Sequence, residues 1–164
     1  MIVTDWCADD EARINEYFLV PRRRVKDFFG RKDELIKMAS YFNDESDQPR
    51  ILVLHAMGGQ GKSQIALEYC QRTRQTYQGV FWVNGSSTFT ITQSLVSIAH
   101  ELDRLATAAL PDDDAKVAFA LRILERWEHR WLVVFDNCDD AATFSEVQQF
   151  IPQGNVFHSE IKAS

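Results

Sequence analysis

The sequence predicts an α/β fold in three layers, a parallel sheet held between two layers of helices, and three observations carry that prediction. Three short runs are apolar throughout: Ile51 to Leu54, Val80 to Val83 and Trp131 to Phe135. A strand covered on one face alternates polar and apolar residues, whereas a strand sandwiched between helix layers is apolar on both faces. The stretches between these runs repeat their apolar residues with helical period. Strands and helices then alternate along the chain, the pattern that right-handed crossovers wind into a parallel sheet.

Taken in order, Leu35, Ile36, Ala39 and Phe42 give a short amphipathic helix, and Asn43 to Pro49 reads as a polar loop before the first strand. Ile65, Ala66, Tyr69 and Cys70 make the stripe of a helix after that strand. Ile91, Leu95, Ile98, Leu102 and Leu105 make another after the second strand. Pro111 and the cluster Asp112, Asp113, Asp114 break the chain and begin a helix carrying Val117, Leu121 and Leu124. Negative charge is favoured at a helix N-terminus, so the cluster reads as capping rather than as a metal site. The third strand and a last helix follow. Ile151 to Ser164 begins with Pro152 and Gly154, holds a short Val156-Phe157 and runs out in a polar tail.

Composition narrows the function classes. The 164 residues include 18 Lys plus Arg against 24 Asp plus Glu, a net charge of -6, with 45% apolar and 12% aromatic residues. That is the composition of one globular domain or part of one. The acidic balance argues against a general nucleic-acid or membrane-surface binder. Arg22, Arg23, Arg24 and Lys26 are followed at once by Asp27, Asp33 and Glu34, as in a solvated turn. Cys7, Cys70 and Cys138 are odd in number and far apart, with no CxxC pair, so neither a disulfide framework nor a zinc site is indicated. With an acidic N-terminus and no apolar run of about 18 residues, a cytoplasmic location is expected.

The segment that carries the chemistry runs from Ile51 to Ser63, a buried strand entering a glycine-rich turn and then an amphipathic helix. The pattern G-x-x-x-x-G-K-[ST] of a Walker A loop is met at Gly61, Lys62 and Ser63, with Ala56 in place of the first glycine. Gly58 and Gly59 remain to supply unusual dihedrals and to let backbone N–H groups approach phosphates. In such a loop Lys62 neutralises phosphate oxygens, the Ser63 hydroxyl binds Mg²⁺, and the helix that begins here offers its free N–H groups to the anion.

Trp131 to Asp136 is an apolar strand ending in a carboxylate, the form of a Walker B strand, which makes Asp136 the second Mg²⁺ residue and, with Lys62, a catalytic candidate. A guanine-specific protein usually carries Asp-x-x-Gly after that strand and an Asn-Lys-x-Asp motif. Neither occurs, so adenine is favoured and ADP or ATP with Mg²⁺ is the expected ligand. Asn137 stands where many ATPases place a second acid, and a neutral amide is a poorer base for an attacking water.

This combination resembles the nucleotide-binding domain of the STAND class, the NB-ARC or NOD-like receptor P-loop NTPases, particularly the fungal ones. Phe28-Phe-Gly-Arg-Lys-Asp-Glu-Leu35 looks like the family's hydrophobic-Gly-Arg motif and Phe18-Leu-Val-Pro-Arg22 like its lead-in. Gly79 to Asn84, followed by Gly85, Ser86 and Ser87, resembles the second strand, and Trp131 to Asp140 the Walker B region. The resemblance implies that Phe29, Gly30 and Arg31 lie beside adenine and ribose. It also implies that Met57, Gly58, Gly59, Gln60, Gly61, Lys62, Ser63 and Gln64 hold the phosphates. It divides the chain into a lead-in (1–27), a partial nucleotide domain (28–155) and a divergent tail (156–164).

By the same resemblance the protein is a signalling switch, often in immunity or self/non-self recognition, with protein partners engaged through further domains. The alternatives are an autonomous P-loop ATPase or small kinase, and a non-hydrolysing truncated fragment. The P-loop NTPase core reads as incomplete, with later strands missing. In the resembled family a fourth strand, bearing a sensor arginine, lies between the loop strand and the Walker B strand. Here only Val156 to Ser159 offers a remnant of it, with Glu160 near the arginine's place. Two facing strand edges are therefore expected to lack partners, leaving the domain marginally stable and weak in nucleotide affinity.

Overall fold

The computed structural model describes residues 1–6, 16–22, 28–43, 50–55, 59–138, 141–151 and 157–162. The strands are β1 (Ile2–Trp6), β2 (Tyr17–Leu19), β3 (Arg50–His55), β4 (Gly79–Asn84), β5 (Trp131–Asp136) and β6 (Phe157–Lys162). The helices are α1 (Lys32–Phe42), α2 (Lys62–Arg72), α3 (Thr88–Leu102), α4 (Arg104–Ala108), α5 (Asp113–Arg126) and α6 (Ala141–Gln148). The alternation of strand and helix from α1 to α6 is as the sequence predicts.

The six strands form one sheet in the order β2-β4-β5-β1-β3-β6. β2, β4 and β5 pair in parallel, and so do β3 and β6. β1 pairs antiparallel with β5 on one side and with β3 on the other, so the sheet is mixed rather than wholly parallel. Two expectations are corrected here. The slot between β3 and β5 is not vacant: β1 fills it, in register from Ile2 opposite Val53 and Phe135 to Asp5 opposite Arg50 and Leu132. The facing edges of β3 and β5 are therefore paired, and instability through open edges at that place does not follow. Nor is the late segment a remnant in that slot, because β6 lies on the far side of β3.

The physical reason β1 escapes a sequence reading is its brevity. Five residues that open on two adjacent apolar ones, Ile2 and Val3, carry no periodic signal. Yet both side chains are fully buried, one on each face of the sheet. On one face α1 and α2 pack over Val3, Leu52, Leu54, Leu132 and Val134. On the other, α3 and α5 cover Ile2, Ile51, Phe81, Val133 and Phe135. Burial of the all-apolar runs on both faces is what their composition requires.

The helix ends follow their chemistry. Ser87 forms a capping box with Thr90 at the start of α3, and Asp112 Oδ1 accepts from the Ala115 N–H at 2.8 Å, as the acidic cluster predicts. The stripe expected to run on to Leu105 is interrupted instead. Asp103 ends α3 and caps α4, accepting from the Ala106 N–H at 2.9 Å, and Leu105 is left 86% exposed. Ile36, expected on the buried stripe of α1, is also exposed. Cys70 is sealed in the core, and burial pushes its thiol up to about 12, which makes it inert. The loop at 44–49 and the basic residues Arg23, Arg24 and Lys26 lie outside the described residues.

Thr4 is the discordant residue of the core. It is fully buried among Ile51 and Val133, its sheet neighbours, and its hydroxyl finds no hydrogen-bond partner among the described residues. An unsatisfied buried polar group costs about 1 to 3 kcal/mol. Thr4→Val, which keeps the shape and removes the hydroxyl, is expected to raise stability by about that amount, read as a higher urea midpoint with an unchanged slope.

Candidate functional site

β3 ends at His55 and α2 begins at Lys62, so the loop between them lies at the carboxyl end of a central strand. Of this loop Ala56, Met57 and Gly58 fall outside the described residues. Gly59 and Gly61 have φ of 81° and 79°, the left-handed region, and a Cβ at either would meet nothing within 4 Å. Glycine is needed there for its backbone conformation and not for want of space.

α3, α4 and α5 are each capped by a side chain, from Ser87, Asp103 and Asp112 respectively. α1 and α2 both start without a capping side chain, but α1 carries Asp33 and Glu34 in its first turn and α2, which begins at Gly61, carries no acid there. The first residue of α2 is a cation, Lys62. A lysine at that position opposes the helix dipole, and no side chain caps the first-turn N–H groups. Both features become favourable when an anion sits in front of the helix.

The other half of the site comes from β5. Asp136 closes that strand, buried, and Ser63 Oγ donates to its Oδ1 at 2.9 Å. The structure thus brings together, across 73 residues, the two side chains that the sequence assigned to Mg²⁺. One hydroxyl and one carboxylate suit Mg²⁺, which usually keeps several waters and takes its remaining oxygens from phosphates. No cluster of three or more His, Cys, Asp or Glu able to hold a metal occurs among the described residues.

Arg31 reaches the loop from the other direction. Its Nη2 donates to the Gln60 carbonyl at 3.3 Å, and its Nη1 pairs with Glu34 at 3.1 Å. Glu34 is buried, so the guanidinium is held by an acid on α1 while it touches the loop. Gly30 and Arg31 both have positive φ, 79° and 55°. This is costly for arginine and turns the chain sharply into α1. Phe29, just before, is 86% exposed. Gln60, Lys62, Ser63 and Gln64 are half-buried along the loop and the first turn of α2.

Two further residues, Asn84 and Gly85, shape the site; the sequence named them only as part of the second-strand resemblance and gave them no role in the site. Asn84 ends β4 directly opposite Asp136. Its Oδ1 accepts from the Asn137 side chain at 3.1 Å and from the Ser86 N–H at 3.2 Å. Asn137, at φ 62°, is thereby turned toward β4. Gly85 donates its N–H to the Asp136 carbonyl at 2.7 Å. A Cβ on Gly85 would stand 2.9 Å from that carbonyl and would also collide with Cys138 Sγ. The available signal was a glycine immediately after a strand, which often marks a close backbone approach.

A family model, the NB-ARC domain, matches residues 31–158, and the chain belongs to that family. No curated protein and no solved structure matches it. The class is therefore that of STAND-type P-loop proteins, and this chain is a nucleotide-binding module of that class. The match begins at Arg31 and leaves out β1 and β2, so the strand in the slot between β3 and β5 comes from outside the family segment. No helix among the described residues is long and apolar enough to cross a membrane.

The close approach of Gly85 yields a test. Gly85→Ala forces the new methyl against a main-chain oxygen that cannot swing away. It is expected to cost about 1 to 3 kcal/mol, seen as a lower Tm in thermal unfolding, while Ser86→Ala, one residue on and exposed, leaves Tm nearly unchanged.

Proposed function

We propose that the chain binds ADP or ATP with Mg²⁺ and serves as the adenine-nucleotide module of a signalling switch, of the kind used in innate immunity or self/non-self recognition. The observation that carries the nucleotide reading is the Ser63–Asp136 contact at the uncapped, lysine-headed start of α2. Membership of the NB-ARC family supports the switch. In this reading Met57 to Gln64 surround the phosphates, with Lys62 neutralising their charge. Ser63 and Asp136 hold the metal, which offsets further phosphate charge when bound. Phe29, exposed beside the strained Gly30-Arg31 turn, offers a flat apolar face to the base, and Arg31 links that turn to the loop. Partners act through other domains of the switch, in the cytoplasm.

A titration with a fluorescent ADP analogue tests the nucleotide reading. Binding is expected to be displaced better by ADP than by GDP. Lys62→Ala is expected to weaken it at least about tenfold, the loss of one charge-assisted phosphate contact, without lowering the unfolding midpoint, because the cation it removes opposes the dipole of its own helix. Equal binding by the variant, or preference for GDP, contradicts the assignment.

Turnover is expected to be slow. Asn137 is neutral, and its amide donates to Asn84 Oδ1. Phosphate release at saturating MgATP should stay well under about 1 per second, the low end of working enzymes; a faster rate would restore the autonomous ATPase or kinase reading.

A further inference from the structure

The sheet consists of two parallel blocks, β2-β4-β5 and β3-β6, and β1 is the strand through which they are hydrogen-bonded to each other. The phosphate site straddles that joint. The loop and α2 follow β3 in one block, whereas Asp136 ends β5 in the other, and Ser63 to Asp136 is a side-chain bridge between them. β1 itself is five residues long, runs against both neighbours and buries the unpartnered Thr4 hydroxyl at its centre. Both parallel blocks keep their own internal ladders when β1 is lifted out. A strand that is short, holds a buried hydroxyl with no partner among the described residues and is not needed for the pairing within either block is the seam along which the two blocks can part.

We propose that β1 is a releasable joint: it opens without unfolding of the two blocks, and nucleotide bound across Ser63 and Asp136 holds it shut. The second half rests on the nucleotide reading above. A ligand that touches both blocks binds the closed arrangement better than the open one, and by linkage it must then stabilise closure. Seating of β1 and occupancy of the site are in this way coupled, although β1 touches no ligand.

Native-state hydrogen exchange on the whole chain tests this. The Leu54 N–H donates to the Met1 carbonyl, and with the strand period of two Leu52 points the same way. Without nucleotide, Leu52, Leu54 and the β5 amides facing β1 should exchange together, at least about 100-fold faster than the amides joining β4 to β5, and with a shallower denaturant dependence. Thr4→Val should slow this opening about tenfold, the scale of one unsatisfied buried hydroxyl. One common rate and slope for all strands would overturn the joint. So would fast exchange in Leu52 and Leu54 with slow exchange on the β5 side, because the opening would then belong to β3. MgADP should slow the joint amides in the wild type and not in Lys62→Ala. If titration shows ADP bound and the joint amides do not respond, the coupling is wrong. If no ADP binds at all, the nucleotide reading and the coupling fall together, while the nucleotide-free exchange still decides whether β1 opens on its own.

Discussion

Main-chain pairing of β1 to both β3 and β5 is the constraint on which the closed arrangement of the sheet, and with it the site, depends. β3 aims the glycine-rich loop and β5 carries Asp136, and without a strand between them several backbone donors and acceptors on each would face apolar surface unpaired. Each such group costs about 1 to 3 kcal/mol while it stays buried; when β1 lifts out, water reaches both edges and satisfies them, so each block keeps its own ladder. The direction of the inserted strand matters less than its presence. Each ladder satisfies its backbone groups by itself, so an antiparallel strand can stand between two parallel neighbours, although it changes which residues face each other. Ile2 and Val3 meet the second requirement, one apolar side chain for each face of the sheet.

Around the ends of β3, β4 and β5 the backbone departs from ordinary geometry in a concentrated way. Among the described residues, the non-glycine positions with positive φ are Arg31 and Asn137, and the glycines are Gly30, Gly59 and Gly61. All five flank the loop or the end of β5. Strain of this kind persists only where the surroundings over-determine it. Here Glu34 and the Gln60 carbonyl hold Arg31, and Asn84 holds Asn137. In the same region α2 starts with a lysine and with neither a capping side chain nor a first-turn acid. Unusual backbone, a helix start without a capping side chain or first-turn acid, and the charge of Lys62 therefore coincide, and an anionic ligand suits the last two together.

The two helix layers fix this geometry from outside. Gly79, at the start of β4, is crowded by Phe81 and Trp127, and the Trp127 indole N–H donates to Gln78 Oε1 at 3.0 Å. Below the sheet, Arg130 bonds the Phe42 carbonyl at the end of α1 and lies over the Tyr77 ring. These contacts tie the base of β5 to α1, whose first residues carry the Glu34 that steadies Arg31. The far end of the sheet is thus linked mechanically to the loop through one helix.

Much of the site is local in sequence and was legible there. The strand, the glycine-rich turn and the Gly61-Lys62-Ser63 start of α2 follow one another within a few residues, so their chemistry is written in consecutive letters. The all-apolar runs name the central strands because burial on both faces admits no alternation, and Asp112 announces its cap because the capping partner is three residues away. What tertiary structure alone decided is non-local. Asn84 and Asn137 meet only because β4 and β5 are parallel and in register, and Gly85 is confined only because the Asp136 carbonyl lies against it. The role of Ile2 to Trp6 was settled last of all. Five residues hold too little pattern to announce a strand, and the partners that make them one lie 44 residues or more further along the chain.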